Sequence, residues 1–104
     1  MKNVIMLEGD KMIIRVGEDL DHHVTKELKE NIDAMVDKGI VRNIAFDFST
    51  TGFMDSAGIG LIMGRYKKIS PMGGEISIVG TNPAIERIIR ISGIHKIIRM
   101  ELVK

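Results

Sequence analysis

Residues 46–66 have the sequence FDFSTTGFMDSAGIGLIMGRY, which begins as an apolar strand and ends as a helix. A short polar loop separates the two, and Asp55 and Ser56 stand where the helix is predicted to begin. The start of a helix leaves several backbone N–H groups without partners and carries the positive end of the helix dipole. A hydroxyl at this junction is therefore well placed to carry a phosphate.

The helix predicted from Ser56 to about Ser70 carries three glycines, each of which costs about 1 kcal/mol relative to alanine in a helix interior. Plotted at about 100° per residue, one face is apolar and is expected to meet the core: Ile59, Ile62, Met63, Tyr66 and Ile69. The other face is nearly bare apart from one leucine, which we expect to be exposed: Ala57, Gly60, Leu61, Gly64 and Lys68. A partner protein could dock on this face, or the glycines could allow a neighbouring helix of the same chain to pack closely.

Length and composition predict one compact domain spanning residues 1–104, with 44% hydrophobic residues. The 15 basic and 14 acidic residues give a net charge of +1, and aromatics make up 4%, so nothing favours a nucleic-acid partner or membrane insertion. The chain has no cysteine, which excludes disulfides and thiolate metal sites. The apolar run at the N-terminus is too short for a signal peptide, so we expect a cytoplasmic protein.

Strand and helix patterns alternate along the chain. The predicted strands cover residues 3–7, 11–16, 43–48, 75–79 and 97–102. A first helix contains Val24 to Val36, and a third is bracketed by Asn82 as N-cap, Pro83 and Gly93. This alternation is typical of an α/β domain with a mixed, largely parallel sheet of about 4–5 strands and about 3–4 helices.

Several catalytic and binding interpretations fit the sequence poorly. Gly58, Gly60 and Gly64 do not form a dinucleotide fingerprint, because its third glycine would fall at Met63. Ser56 as a hydrolase nucleophile lacks a glycine two residues before it and an evident base. Asp47 at the end of a strand could suggest a phosphate-accepting receiver domain. Such a domain also needs an acidic pair after its first strand and a lysine late in the chain, and neither is clearly present. We expect no cofactor.

The run Asp21-His22-His23 could suggest a metal site, but adjacent histidines point in different directions. The simpler expectation is that Asp21 caps or precedes the first helix while one histidine packs over its end. A set of charged residues should form one solvated face of that helix: Lys26, Lys29, Glu30 and Asp33.

Five segments together resemble one family: Leu20-Asp21-His22-His23, the run from Phe53 to Gly60, Gly64-Arg65-Tyr66-Lys67, Gly73-Gly74-Glu75 and the run from Ser92 to Arg99. They are similar to the STAS-domain anti-sigma factor antagonists, over essentially the whole chain. The segment Met-Asp-Ser-x-Gly-x-Gly is the most specific of them. Two of the segments, Leu20-Asp21-His22-His23 and Gly64-Arg65-Tyr66-Lys67, favour one branch of the family over another. The favoured branch is the sporulation branch, which antagonises the anti-sigma F factor, and the other is the general-stress branch.

The resemblance implies a regulatory protein that is not an enzyme. Unmodified, such a domain binds an ATP-bound anti-sigma factor that is also a serine kinase, and so frees a sporulation sigma factor. The kinase then phosphorylates the residue matching Ser56, and a serine phosphatase resets it. By the same match Asp21 contacts the partner, and Asp55 and Gly58 flank the phosphorylation site. ATP and Mg²⁺ belong to the kinase.

Three departures from the family pattern stand out. Relatives usually carry their loop glycine just before a Glu-Leu-Asp triplet. Here Gly17 precedes the four residues Glu18-Asp19-Leu20-Asp21, which changes the expected loop shape near Asp21. Relatives tend to carry a further C-terminal segment, so a last helix is expected to be shorter or missing. Ala57 replaces a frequent serine, which leaves Ser56 as the expected phosphate acceptor.

The expected partner-binding residues combine this resemblance with the glycine-rich face: Asp21, Asp55, Ala57, Gly58, Gly60, Leu61 and Gly64. The competing interpretation is a constitutive STAS interaction module in another sigma-regulatory or sensory complex, with Ser56 acting only as an N-cap.

Overall fold

A computed structural model describes residues 3–17 and 19–101. The described part of the chain contains seven strands: β1 Val4–Glu8, β2 Lys11–Arg15, β3 Asp19–Leu20, β4 Asn43–Asp47, β5 Phe53–Met54, β6 Ile76–Val79 and β7 Arg99–Glu101. It also contains three α-helices: α1 His22–Asp37, α2 Ser56–Ile69 and α3 Pro83–Ser92. Two short 3₁₀ turns, Ser70–Met72 and Ile94–Lys96, follow α2 and α3.

Five strands form one sheet in the order β1-β2-β4-β6-β7. β1 is antiparallel to β2, and the other neighbours are parallel. The predicted mixed, largely parallel α/β sheet is therefore confirmed. The last strand is shorter than predicted, because Ile97 closes the 3₁₀ turn before β7 and Leu102 lies outside the described residues.

One apolar core joins the sheet to the three helices. Phe46 of β4 pairs in register with Ile14 and Ile78, and all three side chains are fully buried. The helices add residues at i, i+4 spacing, the period expected of an amphipathic helix: Leu28, Ile32 and Val36 of α1, and Ile85 and Ile89 of α3. This core holds the helices in fixed positions against the sheet.

A side chain caps the start of each α-helix. Asn82 accepts a hydrogen bond from the Ile85 N–H at 2.9 Å, Pro83 opens α3, and Gly93 ends it with φ of 82°, as predicted. Asp21 caps α1 and Asp55 caps α2. α2 begins at Ser56 as predicted, but Ser56 is the first helical residue and not the cap.

Within residues 3–17 and 19–101, none of the helices is long and apolar enough to cross a membrane.

Candidate functional site

Two short strands that the sequence analysis missed bring the starts of α1 and α2 together. β3 pairs in parallel with β5, with Leu20 opposite Met54. Both side chains are buried, and the Asp55 N–H contacts the Leu20 carbonyl at 3.4 Å. Because Asp21 follows β3 and Asp55 follows β5, the two helix caps are held at one edge of the molecule. The Asp21 and Ser56 loops therefore lie at the same edge.

The two aspartates are fixed by the helices that they cap. Asp21 Oδ1 accepts a hydrogen bond from the Val24 N–H at 3.0 Å, and Asp55 Oδ1 accepts one from the Ala57 N–H at 2.8 Å. Such caps typically contribute about 1 kcal/mol each. Both side chains are only half-buried, so the edge also presents two ordered negative charges to solvent.

Ser56 is exposed immediately after the Asp55 cap. The neighbouring hydroxyls are engaged elsewhere, because the Thr50 and Thr51 Oγ1 atoms both donate to the Val16 carbonyl, at 2.9 and 3.0 Å. Thr51 is also buried, whereas Ser49 is exposed. The interpretation of Ser56 as an N-cap is wrong, since Asp55 performs that role and leaves the serine hydroxyl exposed.

A groove of about 420 Å³ runs between α1 and α2 from the edge that carries Ser56. Its lining is contributed by both helices: His22, Thr25, Lys26 and Lys29 from α1, and Ala57, Gly60, Leu61, Gly64 and Arg65 from α2. A methyl group added at Gly60 or Gly64 would meet no atom within 4 Å. The alternative that these two glycines allow close helix packing within the chain is therefore wrong, and they keep the groove open instead.

Leu61 does not project from the helix as expected. Its side chain is 4% exposed and belongs to the apolar core. Ile62 and Ile69 are buried as predicted, but the other buried residues of α2 lie one position before predicted ones: Gly58, Leu61 and Arg65. The hydrophobic pattern misplaced the stripe because two of its members, a glycine and an arginine, have no apolar side chain. The predicted core residues Ile59, Met63 and Tyr66 are only partly buried at its margin.

Gly58 is buried, unlike Gly60 and Gly64. A β-carbon there would lie 2.4 Å from Met54 Cγ and 3.0 Å from Leu20 Cδ2. Its absence lets the first turn of α2 rest directly on the β3–β5 pair. Although it was expected among the partner-binding residues, Gly58 lies beneath the surface, and its place in the fold is to set the position of Ser56.

This contrast between glycines of one helix gives a stability prediction. Gly60→Ala should stabilise the protein by about 0.5–1 kcal/mol, because alanine favours the helix and has open space. Gly58→Ala gains the same helix preference but adds an overpacking cost of about 1–3 kcal/mol against Met54 and Leu20. Thermal and denaturant unfolding should give Gly58→Ala a clearly lower free energy of unfolding than Gly60→Ala. Equal stabilities would show that Met54 moves aside freely.

One of the four charged α1 residues that were predicted to be solvated is in fact mostly buried. Asp33 is mostly buried, and its Oδ1 lies 2.9 Å from Arg65 Nε as an ion pair without hydrogen-bond geometry. The prediction that Asp33 is solvated is therefore wrong, whereas Lys26, Lys29 and Glu30 are exposed as expected. Further along, Asp37 binds Lys68 at 2.8 Å, and this bond raises the pKa of Lys68.

The histidines at the start of α1 are both exposed, so the expectation that one packs over the helix end is wrong. His22 lines the groove, and His23 points to a different surface. Across residues 3–17 and 19–101, the structure assembles no group of three residues able to hold a metal ion.

Sequence reasoning missed the basic side chains of the groove, which are His22, Lys26, Lys29 and Arg65. Lys26 and Lys29 are three residues apart and therefore share one face of α1. The sequence does not show that this face borders α2, so their position in a groove becomes visible only in the structure. Arg65 follows Gly58 and Leu61 at i+7 and i+4, which assigns it to the buried stripe. A charged residue in such a stripe indicates a buried partner, here Asp33.

Comparison with known proteins gives a consistent result. A model of the STAS domain matches residues 3–103. The anti-sigma F factor antagonist of Paenibacillus polymyxa is 35% identical over 86 residues, which cover 83% of this chain and 74% of that protein. The anti-sigma-B factor antagonist of Staphylococcus aureus (strain NCTC 8325 / PS 47) is 30% identical over 87 residues, covering 84% and 80%. The structure of the Bacillus cell fate determinant SpoIIAA in the phosphorylated form superposes with a TM-score of 0.83 at 25% identity, covering 98% of this chain and 91% of that one.

Proposed function

This chain belongs to the STAS-domain family and to its anti-sigma factor antagonists, and from that premise we propose a phosphorylation-controlled partner switch. The unmodified protein binds an ATP-bound anti-sigma factor that is also a serine kinase, and thereby frees a sigma factor in the cytoplasm. Phosphorylation of Ser56 ends the interaction, and a serine phosphatase restores it. The protein performs no catalysis of its own.

The observation that carries this proposal is the exposed Ser56 hydroxyl, set by the β3–β5 pair beside two capping carboxylates. An acceptor for a kinase must be reachable, and Ser56 is exposed while Thr51 is buried. The hydroxyl is not needed to cap α2, since Asp55 does so. Modifying it therefore changes the surface while leaving the helix start intact.

The expected effect of a phosphate is electrostatic. It adds about −1.5 to −2 charges at pH 7, next to an edge that already carries Asp21 and Asp55, with exposed Asp19 on β3 beside them. The N-terminus of α2 can hold the phosphate locally, so no refolding is needed. A partner surface complementary to the unmodified edge would meet a large excess of negative charge, which favours dissociation.

We assign the partner to the sporulation, sigma F type of pathway. The support is the 35% identity to the Paenibacillus polymyxa anti-sigma F factor antagonist, together with the two segments that resemble the sporulation branch, Leu20-Asp21-His22-His23 and Gly64-Arg65-Tyr66-Lys67. Affinity measurements against one anti-sigma kinase of each type should show tighter binding to the sigma F type. Tighter binding to the sigma-B type would move the protein to the other pathway.

Asp21 should act on affinity as well as on stability. Asp21→Asn keeps the capping ability, because asparagine caps as well as aspartate, and removes only the charge. We expect Asp21→Asn to lower partner affinity by about 1–3 kcal/mol if the carboxylate meets a cation, with an unchanged melting temperature. Asp21→Ala should lose both affinity and about 1 kcal/mol of stability. Wild-type affinity in Asp21→Asn would make Asp21 a helix cap only.

The proposed function is tested by binding to a cognate anti-sigma kinase, followed by size-exclusion chromatography. The unmodified chain and the ATP-loaded kinase should co-elute, and continued incubation with ATP should dissolve the complex. A complex that persists under ATP would support the constitutive STAS module instead. Failure to form any complex would contradict the anti-sigma partner.

A further inference from the structure

The groove between α1 and α2 combines an apolar floor with open space. Leu61 and Ala57 supply the floor, and the bare backbone at Gly60 and Gly64 leaves room above it. Small residues on a helix let a second helix approach closely, and an apolar anchor on that helix can then enter the groove. The shape therefore fits one apolar side chain presented by a helix of another protein.

The charges that line this groove all have one sign. Lys26, Lys29 and Arg65 contribute three cations, and no carboxylate is among the lining residues. Asp33 lies 2.9 Å from Arg65 and 3.7 Å from Lys29, and Glu27 and Glu30 flank Lys26 on the side of α1 away from the groove. Among the described residues, no carboxylate lies within 4 Å of the Lys26 ammonium. The lining of the groove is thus positive, next to the negative edge at Asp21 and Asp55.

Arg65 is a nearly buried cation of the groove that a single carboxylate, Asp33, accompanies. Its side chain is 7% exposed, yet Nε has no hydrogen-bond partner in the described part of the chain. A guanidinium offers five N–H donors, and buried polar groups are normally satisfied. The Asp33 ion pair supplies charge without hydrogen-bond geometry. A carboxylate placed in the groove would add a second anionic acceptor for the guanidinium beside Asp33.

We propose that this groove binds an acidic helical segment of the partner, whose apolar side chain enters over Gly60 and Gly64 while a flanking carboxylate pairs with Lys26 and Arg65. This inference rests on the proposed function and specifies the chemistry of the partner. The negative edge at Asp21 and the positive groove then fix the direction in which the segment lies. Electrostatic complementarity of this kind selects the partner and speeds association.

The test reverses one groove charge and compares it with a matched change elsewhere. Lys26→Glu should weaken binding to the ATP-loaded anti-sigma kinase by about tenfold or more, because buried or close charge pairs are strongly coupled. Lys67→Glu makes the same charge change on exposed α2 surface outside the groove lining, and should alter affinity by less than about threefold. Lys26→Gln should fall between them. Isothermal titration at low and high salt measures all three, with thermal unfolding as a check on folding.

Each outcome separates the two proposals. Equal affinities for Lys26→Glu and Lys67→Glu, with the wild type still binding, would overturn the acidic segment and leave the proposed function intact. Absence of binding by the folded wild-type chain would overturn both. Light scattering measures the molar mass of each protein without its partner. If Lys26→Glu differs in this mass from the wild type while Lys67→Glu does not, the groove binds a second copy of this chain, and the acidic partner is overturned. Loss of affinity in Lys26→Glu alone would support it.

Discussion

Ser56→Asp should weaken binding to the anti-sigma kinase by at least about tenfold, or about 1.4 kcal/mol. The substitution adds a permanent negative charge beside Asp55, at the edge that also carries Asp21. Aspartate in the first turn of a helix interacts favourably with the helix dipole, so the fold should remain as stable as the wild type. Surface plasmon resonance with the ATP-loaded kinase measures the affinity, and thermal unfolding measures the stability.

Ser56→Asn is the matched control, because asparagine has nearly the same shape as aspartate without its charge. It should bind much more tightly than Ser56→Asp. If the two variants lose affinity equally, size and not charge decides the switch. If Ser56→Asp binds like the wild type, negative charge at this position does not control the interaction.

Gly64→Leu should also abolish or greatly weaken association, for a different reason. Side chains on a helix lean toward its N-terminus, so the leucine would lie over Gly60 and Leu61 and fill the groove. The new Cβ meets no atom within 4 Å, and replacing a mid-helix glycine favours the helix by several tenths of a kcal/mol. The protein should therefore be at least as stable as the wild type while binding its partner at least about tenfold more weakly.

Lys67→Leu adds the same apolar side chain to an exposed position of α2 that does not line the groove, and should leave affinity unchanged. Gly64→Ala fills little of the groove and should have a small effect. A Gly64→Leu protein that binds normally would show that the partner does not use this face. A destabilised Gly64→Leu protein would show that the groove closes against α1 in solution.

The sequence predicts the elements of this fold well because its local signals agree with its core. The helix starts at Ser56 and Pro83 were found from capping residues, and the sheet was found from apolar strands separated by helices. Those signals act within a few residues of the position they determine. The two-residue strands β3 and β5 gave no such signal, since their pairing depends on contacts between loops distant in the chain.

The errors at the candidate site have a common physical origin. Hydrophobic periodicity finds a buried face only when that face carries apolar side chains. In α2 the buried face includes Gly58, which makes room for Met54, and Arg65, which pairs with Asp33. The pattern therefore assigned Leu61 to solvent and Asp33 to a solvated surface. Ser56 was predicted from its position at a helix start and from the family resemblance. The structure shows it exposed at the start of α2.

The most direct measurement of the central proposal is mass spectrometry of the chain after incubation with its anti-sigma kinase and ATP. We expect one phosphate per chain, with peptide fragmentation placing it on Ser56, and no phosphate on Ser56→Ala. That variant loses no cap, since Asp55 provides it, so it should stay folded and remain bound to the kinase in the presence of ATP. A phosphate on Ser49 or Thr51, or an unmodified wild-type chain after complete exposure to an active kinase, would contradict the proposed switch.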